Sequence, residues 1–181
     1  IYFNTSKIAH AGATKMYLGD YNGAQRMGMM FPSLSSQLQA GGVDAGKIKI
    51  TGITLVLYRN GGNATDTTPF YVKMSNDINY LDYGNDGGRL VSAVNAIATT
   101  ETKGAINSLI TGENRVSLSV DIFSSIILTK DFYVYAGSTN PNIKAGRVDI
   151  AGSDTANAPT IIVEWVYSTS SFSADGVITL G

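Results

Sequence analysis

The chain has 181 residues, thirteen basic and fourteen acidic, for a net charge of −1; 44 % are hydrophobic and only 15 % charged. The usual charged share is ~25 %, so Ser, Thr, Asn and Gly supply the polarity, which fits extracellular β-proteins and virion proteins better than charge-solubilised cytosolic enzymes. The absence of cysteine excludes disulfides, thiolate chemistry and cysteine-ligated zinc, and no basic run interleaves with aromatics as nucleic-acid binding requires.

Residues 1–13 read as an N-terminal lead segment. The sequence opens on Ile1 without a signal-peptide pattern, as expected of a processed or excised chain. Two strands are expected next, Thr14 to Tyr21 and Gln25 to Phe31, with Asn22-Gly23 as a tight hairpin turn. Lys47 to Thr51 and Ile53 to Tyr58 alternate apolar and polar residues, and Gly52 between them marks a bulge or bend. Asn60-Gly61-Gly62-Asn63 ends that strand, and Phe70 to Met74 forms another. Leu90 to Ala98 places Leu90, Val94 and Ile97 on one helical face, although a strand also fits. Arg115 to Asp121 shows the cleanest period of two, with Ser between apolar positions. Asp121 to Ile127 reads as one helical turn capped by Asp121. Phe132, Val134 and Ala136 alternate with Tyr133 and Tyr135 in a further strand, Thr139 to Asn142 breaks the chain, and Thr160 to Tyr167 closes the main domain, residues 14–167. Residues 168–181 form a tail: a Ser/Thr stretch, then the β-like Gly176 to Gly181. It either folds back as a last strand or pairs with a neighbour's sheet edge, and the residues that would carry assembly are Phe172, Val177, Ile178 and Leu180.

These elements predict an all-β fold, an antiparallel β-sandwich of jelly-roll type with at most one or two short helices. The longest apolar stretches fall far short of the ~20 residues that cross a bilayer, so no membrane partner is expected, and none among nucleic acids.

Chemistry-bearing constellations are sparse. His10 is the only histidine, and its neighbours Ala9, Ala11 and Gly12 offer neither a carboxylate nor a nucleophile. Glycosidase chemistry needs only two carboxylates, but the acids are scattered through turns; Glu164, mid-strand, falls on the face opposite Val163 and Trp165. No catalytic residue is therefore assigned, and the chain is not expected to be an enzyme. The richest polar run is Asn76 to Asp86. Three readings stand side by side: a turn-forming loop; a glycan site in which Tyr80 and Tyr83 stack on a sugar while Asp82, Asn85 and Asp86 take its hydroxyls; and oxygen ligation of calcium, the one cofactor considered. The spacing departs from an EF-hand loop, with no Gly at its sixth position and no Glu at its twelfth. Ten tyrosines against one tryptophan suit binding surfaces, yet five of them lie in expected strands, where sheet propensity accounts for them. The run Met27-Gly28-Met29-Met30-Phe31 reads as core rather than as a ligand surface.

Three segments together resemble the carbohydrate-binding-like jelly rolls of secreted and phage structural proteins known as DNRLRE-type domains. Arg26 to Phe31 is similar to their early basic-then-apolar strand, Lys49 to Tyr58 to the strand that follows, and Ala158 to Tyr167 to their closing Pro-then-aromatic strand. The family's usual Trp before its middle strand has no counterpart here, and no functional residue is carried over. What the resemblance implies is the fold.

The expectation is therefore a non-enzymatic structural or binding module of a bacteriophage virion surface: a head decoration, tail fibre or baseplate component. It would act by assembly as a homo-oligomer or with neighbouring virion proteins, with cell-surface glycan as a further ligand. The alternative is a secreted bacterial carbohydrate-binding module attached to an enzyme or adhesin. Both place the chain on a virion surface or outside the cell.

Overall fold

The computed structural model describes residues 1–9, 14–20, 23–65, 67–140, 146–168 and 175–181. In chain order the strands are β1 (Tyr2–Phe3), β2 (Ile8–Ala9), β3 (Lys15–Asp20), β4 (Ala24–Phe31), β5 (Ile48–Gly61), β6 (Pro69–Ser75), β7 (Thr100–Ala105), β8 (Gly112–Leu118), β9 (Phe132–Ser138), β10 (Arg147–Ala151), β11 (Thr160–Tyr167) and β12 (Asp175–Leu180). Three helices interrupt them: α1 (Leu34–Ala40), α2 (Gly87–Ala96) and α3 (Val120–Thr129). Every strand pairing is antiparallel. The strand path β12-β11-β5-β10-β3-β4-β9-β6-β7 curls on itself at the β3–β4 hairpin, where only Gly19 with Gln25 and Asp20 with Ala24 are paired. The result is the expected all-β sandwich, its first layer running from β12 to β3 and its second from β4 to β7.

Strand β5, 14 residues long, organises the first layer. It pairs with β8 along one edge and with β11 and then β10 along the other. Its register against β11 slips between Glu164 and Trp165, so that Gly52 faces Glu164 and Ile50 faces Trp165. One extra residue, Thr51, thus lies on β5, and the expected irregularity at Gly52 is a bulge. A Cβ on Gly52 would meet the Glu164 carboxylate, so a side chain there would have to push the end of Glu164 aside. Between the layers lies the main core, with Leu55, Leu57, Ile161 and Val163 from one side and Met27, Met29, Val72 and Val134 from the other.

Strand β9 is buried along its whole length. Phe132, Val134 and Ala136 enter the main core, while Tyr133 and Tyr135 point outward into a second apolar cluster with Phe3, Ile8, Tyr71, Leu90, Val91 and Val94. A strand with both faces buried belongs to a covered sheet, and the cover here is α2 and the β1–β2 hairpin. Two glycines make room on this outer face. Gly28 lies opposite Tyr135 and Gly137 opposite Tyr71, and a Cβ on either would collide with the facing ring, at 2.9 Å and 2.4 Å respectively.

Helix α2 takes the place expected for Leu90 to Ala98 and starts three residues earlier, capped by Asp86, whose carboxylate accepts the Arg89 amide at 3.0 Å. The alternating run from Arg115 behaves differently from its pattern. The strand stops at Leu118 and α3 begins at Val120, running for 10 residues instead of the single turn expected and with Asp121 inside the helix rather than at its cap. Phe123 and Ile127, one helical turn apart, are buried in the core. Helix α1, which brings the helices to three, was not expected; Ser33 caps it by accepting the Ser36 amide, and Leu34 and Leu38 pack into the core beside α3.

The tail folds back. Strand β12 pairs with β11 of the same chain from Leu180 opposite Ile161 to Asp175 opposite Val166. Leu180 is buried and Ile178 half-buried against the main core, whereas Val177 is 64 % exposed. Phe172, His10, Asn22, Pro141 and Asn142 lie outside the described residues. No helix is long and apolar enough to cross a membrane.

Candidate functional site

The polar run Asn76 to Asp86 forms a connection that climbs from the end of β6 to the start of α2. Its polar groups are tied to the fold at several points. Ser75 Oγ accepts the amides of Asp77 and Ile78 at 3.0 and 3.1 Å. Asn76 Nδ2 donates to the carbonyls of Ile126 and Asp131 at 2.9 and 3.1 Å, closing the C-terminal end of α3. Asn79 Oδ1 accepts the Leu81 amide at 2.9 Å and starts a single 3-10 turn over Tyr80–Tyr83. Gly84 follows at φ +54, a left-handed conformation that suits glycine and turns the chain toward Asp86. From below, the Tyr135 hydroxyl donates to the Ile78 carbonyl at 2.5 Å.

The five residues singled out here part company in the structure. The Tyr80 ring stands edge-on to Tyr133, with centroids 5.8 Å apart, and Tyr83 lies beneath the Arg89 guanidinium at 5.6 Å. Both are half-buried and pack on the outer cluster. Burial pushes the Tyr80 phenol above its ordinary range, with a further push from Tyr133. Tyr133 is raised by burial first and by Asp82 and Asp131 second, and Tyr135 by burial first and by the neighbouring phenols and Asp82 second. Asp82, Asn85 and Asp86 are exposed, and Asp86 is engaged as the α2 cap. Among the described residues no three His, Cys, Asp or Glu side chains gather as a metal would require.

Beside this loop lies an apolar cleft of about 210 Å³. Its lining includes Met16, Met29, Met30 and Phe31, together with Tyr80 and Pro159. Methionine lines such surfaces well because its unbranched, polarisable side chain adapts to different neighbours. The run Met27 to Phe31, read from sequence as core, divides by strand alternation. Met27, Met29 and Phe31 are buried, whereas Met30 is 51 % exposed on the outer face. Leu81, next to Tyr80 in the chain, is 59 % exposed. Gly181, at the end of β12, also lines the cleft, so the cleft is continuous with the last strand of the sheet. The period of two within Met27 to Phe31 was the signal in the sequence that singles out Met30; nothing there foretold that Pro159 and Gly181 would meet it.

A second polar constellation escaped the sequence reading. On the outer face of the first layer, Asp149 is 5 % exposed and accepts Arg147 Nε at 2.6 Å, with Lys15 Nζ at 3.6 Å. The Arg147 guanidinium lies 4.5 Å from the Tyr17 ring, which meets Tyr2 edge-on at 4.8 Å. Register explains the grouping, because Asp149 is paired with Tyr17 across β10 and β3. A buried carboxylate with two cations is a satisfied ion network, and it holds β10 to β3.

The chain matches no family model, no curated protein and no solved structure.

Proposed function

We propose that the chain is a non-enzymatic assembly module of the bacteriophage virion-surface kind, and that copies of it pack on one another through the cleft beside Met30 and the neighbouring edge of β12. The observation that carries this reading is the contrast between two surfaces. The polar loop that would do chemical or sugar-binding work holds the fold together through Asn76, Asn79, Asp86 and the tyrosines. The apolar cleft, with Met30 and Leu81 beside it, leaves large apolar side chains in water. Exposed apolar surface next to a concavity is the usual mark of a protein contact. Strand β12 ends the sheet path, and its sequence, Asp-Gly-Val-Ile-Thr-Leu, has no Lys, Pro or bulge to blunt its free edge. A second copy offers the matching edge and cleft, which suits a symmetric oligomer. The low charge of the whole chain and the weak likeness to phage and secreted jelly rolls agree with this use.

The alternative, a secreted carbohydrate-binding module, would use Asp82 and Asn85 at the tip of the loop. The half-buried packing of Tyr80 and Tyr83 leaves it without the flat aromatic platform such modules use.

Light scattering over a range of concentrations tests the proposal. A discrete oligomer is expected, and Met30→Glu should return it to the monomer with unchanged circular dichroism. A monomer at every concentration would overturn self-assembly, and binding on a glycan array lost with Tyr80→Ala would favour the alternative.

A further inference from the structure

Arg26 has an unusual environment. It sits on the outer face of the second layer and is only 6 % exposed, yet among the described residues no carboxylate pairs with it. Its Nε donates to the Tyr71 hydroxyl at 3.0 Å, and its Nη1 reaches the Ala24 carbonyl only at 3.5 Å. Among the described residues no acceptor meets Nη2. That atom is not sealed from solvent either, because the one sealed side-chain polar atom without a partner among the described residues is Trp165 Nε1. Arg26 is therefore buried as a whole, with Nη2 left short of a complete seal.

The surroundings add charge of the same sign. Lys73 Nζ lies 5.5 Å from the Tyr71 ring centroid and donates to the carbonyls of Asn95 and Ile97 at the end of α2. Burial holds the Lys73 amine below its ordinary range, and repulsion from Arg26 lowers it further. Two cations thus flank one phenol. Withdrawing an unpaired guanidinium from water is costly, and an apolar side chain of similar size is commonly the more stable occupant of such a place. The arrangement is nonetheless built with care. Arg26 and Tyr71 meet across Gly137, which pairs with both. A Cβ there would lie 2.4 Å from the Tyr71 hydroxyl oxygen and 2.9 Å from Arg26 Cγ, so only glycine lets the two side chains touch.

We infer that Arg26, oriented by Tyr71, anchors a binding site for a small oxyanion, a carboxylate or phosphate head group. The guanidinium fork matches either group through two parallel hydrogen bonds, and Lys73 adds attraction without using a donor. With so little of Arg26 exposed, a small head group suits the site better than a flat macromolecular surface. Arg26 is not part of the Met30 cleft, so this site stands whether or not the chain self-assembles.

The test is a nuclear magnetic resonance titration that follows the Arg26 Nε–Hε signal with sodium acetate and, separately, with inorganic phosphate, at ionic strength held constant with sodium chloride. A saturable shift of that signal is expected with at least one oxyanion, and none with chloride. Tighter binding of acetate assigns a carboxylate ligand, and tighter binding of phosphate a phosphorylated one. Arg26→Lys keeps the charge and removes the fork, so affinity should fall several-fold; Tyr71→Phe should weaken binding with the charge intact. Should the Lys variant not fold, the natural chain and Tyr71→Phe decide between them. A linear shift, the same shift with chloride, or affinity unchanged in the variants would overturn the inference.

Discussion

Trp165 is the only tryptophan in the chain and lies 7 % exposed beneath β12. Its indole packs where a side chain at Gly176 would be: a Cβ there would lie 2.1 Å from Trp165 Cζ2 and 2.2 Å from Cε2. Those atoms belong to a rigid ring set edge-on to Tyr167 at 5.3 Å and packed in the main core. Gly176→Ala therefore forces either the indole or β12 to move. Overpacking of this kind costs ~1–3 kcal/mol, offset by ~0.4–1 kcal/mol from the reduced freedom of the unfolded chain. What holds β12 in place is chiefly Leu180, worth ~1.5–3 kcal/mol when fully buried, with Ile178 adding a smaller share. The two sides are comparable, so the variant should lose roughly 1–2 kcal/mol and the strain should be relieved at β12 before the rest of the sheet yields. Urea denaturation followed by tryptophan emission measures the loss, and hydrogen exchange shows whether β12 amides lose protection ahead of β11. A variant as stable as the natural chain, with unshifted emission and protected β12 amides, would refute the reasoning.

Two further outcomes follow from named contacts. Asn114, 9 % exposed, closes the turn before β8: its Oδ1 accepts the Ile110 amide at 2.8 Å, and its Nδ2 donates to the carbonyls of Ile110 and Gly112. Asn114→Ala leaves those backbone groups without their partner and should cost about 1–3 kcal/mol in chemical denaturation, whereas Glu113→Ala, on the exposed neighbour, should leave stability nearly unchanged. At alkaline pH, Tyr71, Tyr80, Tyr133 and Tyr135, all held above the ordinary phenol value by burial first, bind their protons more tightly when folded than unfolded. Their contribution to stability is complete below pH ~10 and should fall as pH rises toward the raised folded values. Thermal melts paired with tyrosinate absorbance should show unfolding and ionisation advancing together there; free titration of all ten tyrosines in the folded chain would contradict this.

The sequence disclosed the strands that present one face to a core and one to water. The run to Leu118 and the start of β5 alternate cleanly because their outward residues are polar, whereas in β11 the outward Ile162 and Val166 blur the pattern. It was silent where a strand breaks that rule for a physical reason. In β10 the alternation spans only five residues, and its outward Asp149 is buried by Arg147 and Lys15 rather than left in water. In β7, Thr-Glu-Thr-Lys-Gly-Ala, there is no large apolar residue to read. Val120 continues the period of two from Val116 and Leu118, yet begins α3, because Phe123 and Ile127 bury better at helical spacing. The second cluster was hidden for another reason. A tyrosine on the outer face of β9 reads equally as a solvated strand residue or as a buried one, and only the cover of α2 decides. The polar loop was legible as a loop, but not its task, since Asn76 caps a helix that ends more than fifty residues further along the chain.

The pairing of β3 with β10 matches Lys15 with Ala151, so the middle of the first layer joins two ends of the chain. Strand β5 likewise waits for β11, with Ile48 paired to Tyr167. During synthesis, the second layer can close once β9 has emerged, but the first, although β5 can pair with β8, is not complete until β10 and β11 have followed. Non-local pairing of this kind folds slowly and exposes unpaired strands on the way. The nascent protein therefore presents β3 and β5, both rich in apolar residues, each with an open edge until β10 and β11 emerge. Fast assembly at high local concentration would then have to follow folding rather than accompany it.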